Sequence, residues 1–363
     1  ICQKFMKTKV LILQSHISSY NIPVYNILSK TLNLTVAYTI KNESRGILPF
    51  KTFKINYNKI FSFIIAKSGF RKLCNTYDVV IFMADLHYIS FWSLLFFKRN
   101  TRIIPWTIGL RASYSRPYDL DRKLSFIDLI YGKMLNKADS IIFYMKNPII
   151  KWKGIVDRKK IFVAHNTVKV LDNKYNYSAS LNSLIFVGSL YKEKMIYELI
   201  DAYICAKQKS KNSLFFILNI IGSGEEYNKL DLYIKQKKMT NYIFLHGSIY
   251  DEIKLSKFFS KALLCISPNQ AGLSVLKSMG YGVPFVTRKN SITGGERLNI
   301  INNNNGRFYE NKDELSSIIL DSFLNKEKYI VMGRNAKKYY MSKATPEHMA
   351  NGFVRAINYS LNK

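Results

Sequence analysis

The amino-acid sequence predicts an α/β fold with two Rossmann-like domains, and three observations lead to this prediction. At 363 residues the chain exceeds the size that one hydrophobic core usually serves. Short apolar runs alternate with amphipathic helical segments, as in parallel sheets that helices cover on both faces. The alternation stops at a polar stretch and then begins again. We expect an N-terminal domain, a linker, a C-terminal domain and a final helix, at residues 6–168, 169–182, 183–344 and 345–363.

The first domain begins with a short apolar run at residues 10–13. Asp85 and His87 interrupt the longest apolar region, residues 79–97, so it predicts a strand followed by a helix. A membrane span needs about 20 apolar residues without such an interruption. An amphipathic helix is predicted at 121–137. The further strand-like runs of this half are 34–38, 79–83, 102–106 and 140–144.

In the second domain, small residues follow successive strand-like runs. Ligands bind beyond the carboxyl ends of the strands in open α/β sheets, so these turns together predict a binding face. Any one of the glycines alone could simply form a turn. The runs are 184–188, 215–222, 242–247, 262–267 and 283–287. The small residues are Gly188 and Ser189 at the end of the first run, Gly222 and Gly224 at the second, Gly247 at the third, and Asn269 to Gly272 after the fourth.

The chain is strongly basic, with 55 Lys and Arg against 24 Asp and Glu, a net charge of +31. Residues 1–170 hold 28 basic and 8 acidic side chains, a net of +20. Such a field favours phosphates, nucleic acid or an anionic membrane face, although a lysine-rich genome is an alternative explanation. Residues 58–73 interleave aromatic and basic side chains, which predicts a helix in an anionic membrane interface or one packed on the sheet. A basic nucleic-acid-binding protein is the rival interpretation, but no nucleic-acid-binding motif is present.

The cysteines and histidines predict neither disulfides nor a metal site. The four cysteines and five histidines are scattered, so we expect a reducing compartment and no protein-bound metal. The apolar run at 10–13 is shorter than the core of a signal peptide, about 7–15 residues. We therefore expect a cytoplasmic chain, with Met6 as a candidate start.

Residues 184–306 resemble the donor-binding half of glycosyltransferase family 4, through the segments FVGSLYKEK, IIGSGEE, FLHGSI, AGLSVLKSMGYGVPFV and NNNNGRFY. The N-terminal half fits more loosely, through YNIPVYNILSK and VAHNTV. The resemblance implies a GT-B fold, with two Rossmann-like domains facing a cleft and a C-terminal helix that crosses back to the N-terminal domain. It also implies sugar transfer from a nucleotide-sugar, UDP-linked rather than GDP-linked, with retention at the anomeric carbon and without a metal or other cofactor.

The same resemblance implies a glycan acceptor, lipid-linked through a polyprenyl diphosphate, in bacterial cell-surface polysaccharide synthesis such as that of lipopolysaccharide or capsule. The protein would then be peripheral at the inner face of the membrane and would bind no nucleic acid. A sugar-nucleotide epimerase or a phosphorylase of the same fold is the enzymatic alternative.

A diphosphate docks where free backbone N–H groups and the positive end of a helix converge. The segment that opens at Gly272 and closes at Pro284 suits such docking. Glu296 follows a glycine pair and could approach sugar hydroxyls or start a helix. The donor-binding residues that the resemblance implies are Gly188, Ser189, Gly222, Gly224, Gly247, Asn269, Gly272, Leu273, Ser274 and Glu296.

The sequence departs from the family at three positions. The family has two glutamates with seven residues between them, and these positions are Asn269 and Lys277 here; the family's arginine before Leu190 is Ser189. Lys194 takes the place of the family's lysine, which implies a catalytic role in neutralising the leaving diphosphate. We predict that Lys277 replaces the positive charge of the missing arginine. The alternative is that Lys277 is only a surface lysine on an inactive or diverged member of the family.

The N-terminal half is expected to bind the acceptor. His16 follows the first predicted strand and is a candidate catalytic residue, or a turn residue. Gly109, Arg111 and Arg116 follow another strand and are candidate acceptor-binding residues, because a guanidinium binds phosphate oxygens in pairs.

Overall fold

A computed structural model of the chain describes residues 8–44, 46–97, 100–112, 118–171, 181–211 and 215–362. The chain divides into two compact units. The first unit comprises Ile1–Val168 and Ala344–Lys363, and the second comprises Lys169–Lys343. In the described parts of the chain, no helix has the length and hydropathy needed to cross a bilayer.

A seven-stranded parallel sheet forms the centre of the first unit, in the order β3-β2-β1-β6-β7-β8-β9. The central strands are buried on both faces, which explains their unbroken apolar character. Every run predicted as a strand in this half overlaps a strand of the sheet, whereas β3 and β9 were not predicted. The bounds are β1 Lys9–Ile17, β2 Asn33–Asn42, β3 Lys51–Lys54, β6 Val79–Met83, β7 Arg102–Thr107, β8 Ile141–Phe143 and β9 Ile161–Val163.

The prediction of a helix at 58–73 is wrong. Residues 57–66 form an antiparallel hairpin of β4, Tyr57–Ile60, and β5, Phe63–Ala66. Its tip residue Phe61 has a φ of 52° and a relative exposure of 91%. Five of the six residues 60–65 are aromatic or β-branched, and such residues favour strands over helices. Only Phe70–Cys74, at the end of the segment, is helical.

Helices cover the first sheet, and the helix predicted at 121–137 begins later than expected. A capping box at Ser125 sets its start: the Ser125 hydroxyl accepts from the Asp128 N–H, and the Asp128 carboxylate accepts from the Ser125 N–H. The final helix predicted within residues 345–363 is confirmed at Pro346–Leu361 and lies in the first unit. The helices are α1 Ile22–Leu28, α2 Phe70–Cys74, α3 Ile89–Ser93, α4 Phe126–Asn136 and, at the C terminus, α11 Pro346–Leu361.

The second unit contains a six-stranded parallel sheet in the order β12-β11-β10-β13-β14-β15. Its apolar core lies between this sheet and the helices that alternate with the strands. The strands are β10 Ser183–Val187, β11 Ile217–Ile221, β12 Ile243–Leu245, β13 Ala262–Ile266, β14 Phe285–Arg288 and β15 Gly306–Tyr309. The helices are α5 Ile196–Ser210, α6 Tyr227–Gln236, α7 Glu252–Phe259, α8 Ser274–Gly280, α9 Lys312–Leu324 and α10 Lys326–Lys343.

Candidate functional site

The strand order of the second sheet changes direction between β10 and β13. These strands pair directly although more than 70 residues separate them in the chain. In doubly wound sheets the crevice at such a switch point is the usual ligand site. Gly188 directly follows β10, and the loop 267–273 follows β13. The topology therefore places two of the predicted glycine turns beside each other.

The loops after β10, β11 and β12 approach one another closely. A Cβ atom on Gly222 would lie 1.8 Å from the Gly188 carbonyl oxygen, and one on Gly224 would lie 2.2 Å from that of Leu190. The Gly222 N–H donates to the carbonyl of Gly247 at 2.8 Å. Glycine is required at 222 and 224 because any side chain would collide with backbone. These predicted residues thus shape the wall of the crevice.

Lys194 is a buried cation beside Gly188. It ends the 3₁₀ helix Lys192–Lys194, and its side chain is only 8% exposed. Its Nζ lies 3.4 Å from the position that a Cβ on Gly188 would occupy. Burial lowers the pKa of Lys194 to about 8. Among the described residues, none accepts a hydrogen bond from this amine or forms an ion pair with it. Its nearest electrostatic contact there is the Tyr191 ring, whose centroid lies 5.3 Å from Nζ.

Hydrogen bonds hold the loop after β13 against the helix that carries Lys194. The Tyr191 hydroxyl donates to Gln270 Oε1 at 2.7 Å, and Asn269 Nδ2 donates to the Glu193 carbonyl at 3.0 Å. Asn269 lies in the loop after β13, and its amide ties this loop to Glu193. Ser189 is exposed directly after Gly188.

The same loop presents open backbone donors. In the described part of the chain, the N–H groups of Gly272, Leu273 and Ser274 have no hydrogen-bond partner. A Cβ atom on Gly272 would meet nothing within 4 Å, so there is free space above this backbone. Uncapped N–H groups at the start of a helix are suited to an anion.

Glu296 contributes to its own loop. It is the first residue of the 3₁₀ helix Glu296–Asn299, and Oε2 accepts from the Gly294 N–H at 3.1 Å and from the Thr293 hydroxyl at 3.4 Å. The side chain is buried. This geometry favours the helix-start role over contact with sugar hydroxyls.

In the structure Lys277 is paired with a carboxylate. It is therefore not open to replace the arginine that the family has at position 189. Its Nζ lies 2.8 Å from Glu252 Oε2, and Tyr281 donates its hydroxyl proton to Glu252 Oε1 at 2.5 Å. Lys277 therefore neutralises a carboxylate at the start of α7 instead of standing open to an anion. Glu252 was missed, because 25 residues separate it from Lys277 and no local pattern joins them.

The residues predicted to bind the acceptor have varied environments. His16 lies inside β1, not after it, and its Nδ1 is 3.0 Å from Ser15 Oγ. Gly109 is buried with a φ of 89°, and a Cβ there would lie 2.4 Å from Pro148 Cγ, so this glycine serves a tight turn. Arg111 forms an ion pair with Asp128 at 3.4 Å. Arg116 lies outside the described residues.

Sequence reasoning also missed a polar pair at the end of β6. Asp85 and His87 follow this strand, and His87 Nδ1 lies 2.7 Å from Asp85 Oδ1. The available signal was the same as in the second domain, namely polar residues just beyond the carboxyl end of a buried strand.

The second unit matches a known family. Residues 170–339 match the family model described as "Glycosyl transferases group 1", which confirms the resemblance found for residues 184–306. The chain is 24% identical over 230 residues to a poly(glycerol-phosphate) alpha-glucosyltransferase of Bacillus subtilis (strain 168), covering 61% of this chain and 33% of the relative. It is 26% identical over 155 residues to the alpha-monoglucosyldiacylglycerol synthase of Acholeplasma laidlawii, covering 42% of this chain and 37% of the relative. The chain thus spans about a third of the length of these curated relatives.

Over 97% of its length the chain has the fold of a solved structure, that of HepE from Anabaena in complex with UDP and glucose. The TM-score is 0.66 at 13% identity, over 97% of this chain and 99% of HepE. This likeness confirms the predicted α/β fold with two Rossmann-like domains of the GT-B type.

Proposed function

We propose that the whole chain, in which residues 170–339 form a domain of the glycosyl transferases group 1 family, transfers a hexose from a UDP-sugar to a hydroxyl group of a glycan acceptor. The observation that carries the proposal is the buried amine of Lys194 at the switch point of the second sheet, which forms no ion pair with any described residue. Together with the open N–H groups of Gly272 to Ser274, it provides positive potential for a diphosphate. The choice of UDP is supported by the nucleotide in the HepE complex.

The proposed chemistry is loss of the diphosphate from the anomeric carbon through an oxocarbenium-like transition state. Negative charge grows on the leaving phosphate, and the ammonium of Lys194 stabilises that charge most when the bond is nearly broken. We propose that the configuration at the anomeric carbon is retained. The NMR coupling constant of the anomeric proton in the product tests this. Interconversion of the donor sugar without any acceptor would instead favour the epimerase.

A thermal-shift panel tests donor binding. UDP and UDP-glucose should raise the midpoint of thermal unfolding more than GDP or CDP, because a ligand that binds only the folded state stabilises it by mass action. The shift should persist in EDTA, since we propose that no metal is required. If no nucleoside diphosphate shifts the midpoint, the proposal fails; a shift abolished by EDTA and restored by manganese contradicts metal independence.

We propose that the acceptor is lipid-linked and that the first unit binds an anionic membrane face. The hairpin exposes Ile60, Phe61 and Phe63, and basic side chains lie near it in the sequence. On α4, Phe126 is 76% exposed, and three further large apolar side chains of the same helix, Ile127, Leu129 and Ile130, are also exposed. Residues 1–170 carry a net charge of +20, and exposed apolar side chains on such a basic unit are typical of a protein that binds the membrane surface. The synthase from Acholeplasma laidlawii, named for a lipid product, supports this part of the proposal.

Phe61→Asn should weaken binding to phosphatidylglycerol vesicles about 10- to 100-fold in a sedimentation assay. The substitution removes an aromatic ring whose burial is worth about 1.5–3 kcal/mol, while asparagine tolerates the left-handed backbone at this position. Leu232→Asn, at an exposed apolar residue of α6, is the control and should bind as the parent does. This placement would be contradicted if Phe61→Asn bound phosphatidylglycerol vesicles as well as Leu232→Asn does. It would also be contradicted if the parent bound uncharged phosphatidylcholine vesicles as well as phosphatidylglycerol vesicles.

A further inference from the structure

A cavity of about 650 Å³ lies on the flank of the first sheet. Its lining comes from residues 146–161, the segment that leaves β8 at its carboxyl end and returns to the amino end of β9. The segment contains two 3₁₀ helices, Asn147–Trp152 and Arg158–Lys160. In the described part of the chain, none of the loops that follow β1, β6 and β7 contributes to the lining. The cavity is therefore separate from the crevice at the carboxyl ends of these strands.

The floor of the cavity is held in place by packing against α4. A Cβ atom on Gly132 of α4 would lie 2.7 Å from Trp152 Cζ3 and 2.7 Å from Ile155 Cγ2, so the segment packs directly on the backbone of this helix. Trp152 is only 1% exposed, and its Nε1 donates to the Gly109 carbonyl at 2.7 Å. A ligand that binds against this ring does not have to order it first.

Most of the lining is apolar. Among the described residues that form it, none carries a hydroxyl or a carboxyl group, and a single amide is present, that of Asn147. A sugar or a nucleotide would leave most of its polar groups without partners there. The volume is in the range of cavities that hold one small molecule. The apolar side chains of the lining are Ile149, Ile150, Trp152, Val156 and Ile161.

Three cations border this apolar surface, namely Lys146, Lys153 and Arg158, and all three are exposed. No described residue accepts a hydrogen bond from these side chains or forms an ion pair with them. The neighbouring carboxylate of Asp157 is not part of the lining and caps the second 3₁₀ helix, where it accepts from the Lys159 N–H at 2.9 Å. Residues 146–160 hold six basic side chains and one acidic side chain. The potential around the cavity is therefore positive and favours an anionic group.

We propose that this cavity binds one single-chain anionic amphiphile, a fatty-acid anion. Its carboxylate contacts Lys153 and Arg158, and its hydrocarbon chain lies over Ile150 and Trp152. The methylene stem of Lys146 covers the far part of the chain while its amine stays in water. One cavity of this volume suits a single chain better than a two-chain phospholipid. The site does not depend on the proposed sugar transfer, and it is distinct from the hairpin that we place on the membrane.

The test is a calorimetric titration of the full chain with sodium dodecanoate below its micellar concentration. Dodecanoate should bind saturably at one site, whereas dodecyl maltoside and dodecyltrimethylammonium, with neutral and cationic heads, should bind about tenfold more weakly. Decanoate and octanoate should lose about two- to fourfold in affinity for each CH₂ removed, because burial of each CH₂ is favourable. Inorganic phosphate, which has no chain, should not compete.

Two variants test where the head and the chain lie. Lys153→Gln combined with Arg158→Gln should weaken dodecanoate binding about three- to tenfold, since exposed charge pairs each contribute modestly. Ile150→Ser should weaken it about threefold, because Ile150 is 69% exposed and its loss removes only part of the apolar contact. Lys209→Gln combined with Lys257→Gln is the matched control. It removes the same charge from exposed positions of the second unit and should bind dodecanoate as the parent does.

Fluorescence locates the chain independently of affinity. The ligand 12-bromododecanoate carries a heavy-atom quencher at its end and should quench Trp152, one of three tryptophans. Trp152→Phe keeps a ring in the floor and should abolish this quenching. Quenching that persists in Trp152→Phe would place the chain beside another tryptophan and overturn the site.

Equal binding of dodecyl maltoside and dodecanoate would also overturn the proposal, as would unchanged affinity in both the cation variant and Ile150→Ser. Dihexanoylphosphatidylglycerol carries the same number of acyl carbons in two chains and should bind more weakly. Equal or tighter binding would assign the cavity to a phospholipid and overturn the fatty-acid assignment.

Phe61→Asn separates this site from the proposed membrane face. It should weaken binding to vesicles but bind dodecanoate as the parent does. Weakening of dodecanoate binding in Phe61→Asn as large as in the cation variant would place the amphiphile on the hairpin and overturn the cavity site. Normal dodecanoate binding by a parent that does not bind vesicles would remove only the membrane part of the proposed function.

Discussion

Lys194→Met is expected to lower the rate of UDP release from UDP-glucose by about 10²–10³-fold. The amine is buried beside Gly188 and has no carboxylate partner among the described residues, so the charge that it neutralises would come from the substrate. Loss of one preorganised group that stabilises developing charge in a site shielded from water typically has this magnitude. Methionine fills a similar volume, so the effect measures the charge.

Lys192→Met is the matched control for this measurement. Lys192 belongs to the same 3₁₀ helix but is exposed, and its replacement should leave UDP release within about twofold of the parent. A rate for Lys194→Met within tenfold of the parent would remove Lys194 from the proposed chemistry.

The same variant should be more stable than the parent. Burial lowers the pKa of Lys194 from its ordinary value of 10.5 to about 8, so holding the charged amine in the folded protein costs on the order of 2–3 kcal/mol at pH 7. Between pH 8 and 10.5 the unfolded chain retains this proton while the folded protein releases it, so the parent gains stability as pH rises. The advantage of Lys194→Met in urea denaturation should therefore shrink across this window. An advantage that stays constant with pH would contradict the burial argument.

Gly222→Ala is expected to lower the free energy of unfolding by about 2–4 kcal/mol and to abolish UDP binding. The new Cβ would lie 1.8 Å from the Gly188 carbonyl oxygen, and both colliding atoms belong to the main chain, so two loops must separate. Urea denaturation and calorimetric titration with UDP measure the two effects.

Gly272→Ala is the matched comparison for this prediction. Its Cβ would meet nothing within 4 Å, so the fold should keep its stability, but the methyl group would enter the space where we place the diphosphate. UDP should bind Gly272→Ala about tenfold more weakly or worse. If Gly272→Ala binds UDP as the parent does, the diphosphate does not lie against this backbone.

Local sequence patterns predicted the sheets and the crevice but not the partners of charged groups. The strand β6 was predicted at its observed bounds, because its five large apolar residues lie between Asp78 and the pair Ala84 and Asp85. The glycine turns and Lys194 follow the strands of a doubly wound sheet, whose topology brings their ends together.

The partners of Lys277 and Arg111 could not be predicted in the same way. Lys277 pairs with Glu252 and Arg111 with Asp128, and each pair forms only when separate elements pack together. The hairpin at 57–66 was missed for another reason: its mixture of basic and aromatic residues also fits an amphipathic helix, and the tip at Phe61 carries no glycine to signal a turn.

The most direct test of the central claim is the proton uptake that accompanies UDP binding at pH 8.5, measured by calorimetry in buffers of different ionisation enthalpy. At this pH the free protein holds Lys194 largely unprotonated, because burial lowers its pKa to about 8. A diphosphate beside the amine raises that pKa, so binding should take up a substantial fraction of a proton. The account predicts this uptake in the parent and in Lys192→Met and its loss in Lys194→Met. UDP binding without proton uptake in the parent, or equal uptake in Lys194→Met, would contradict it.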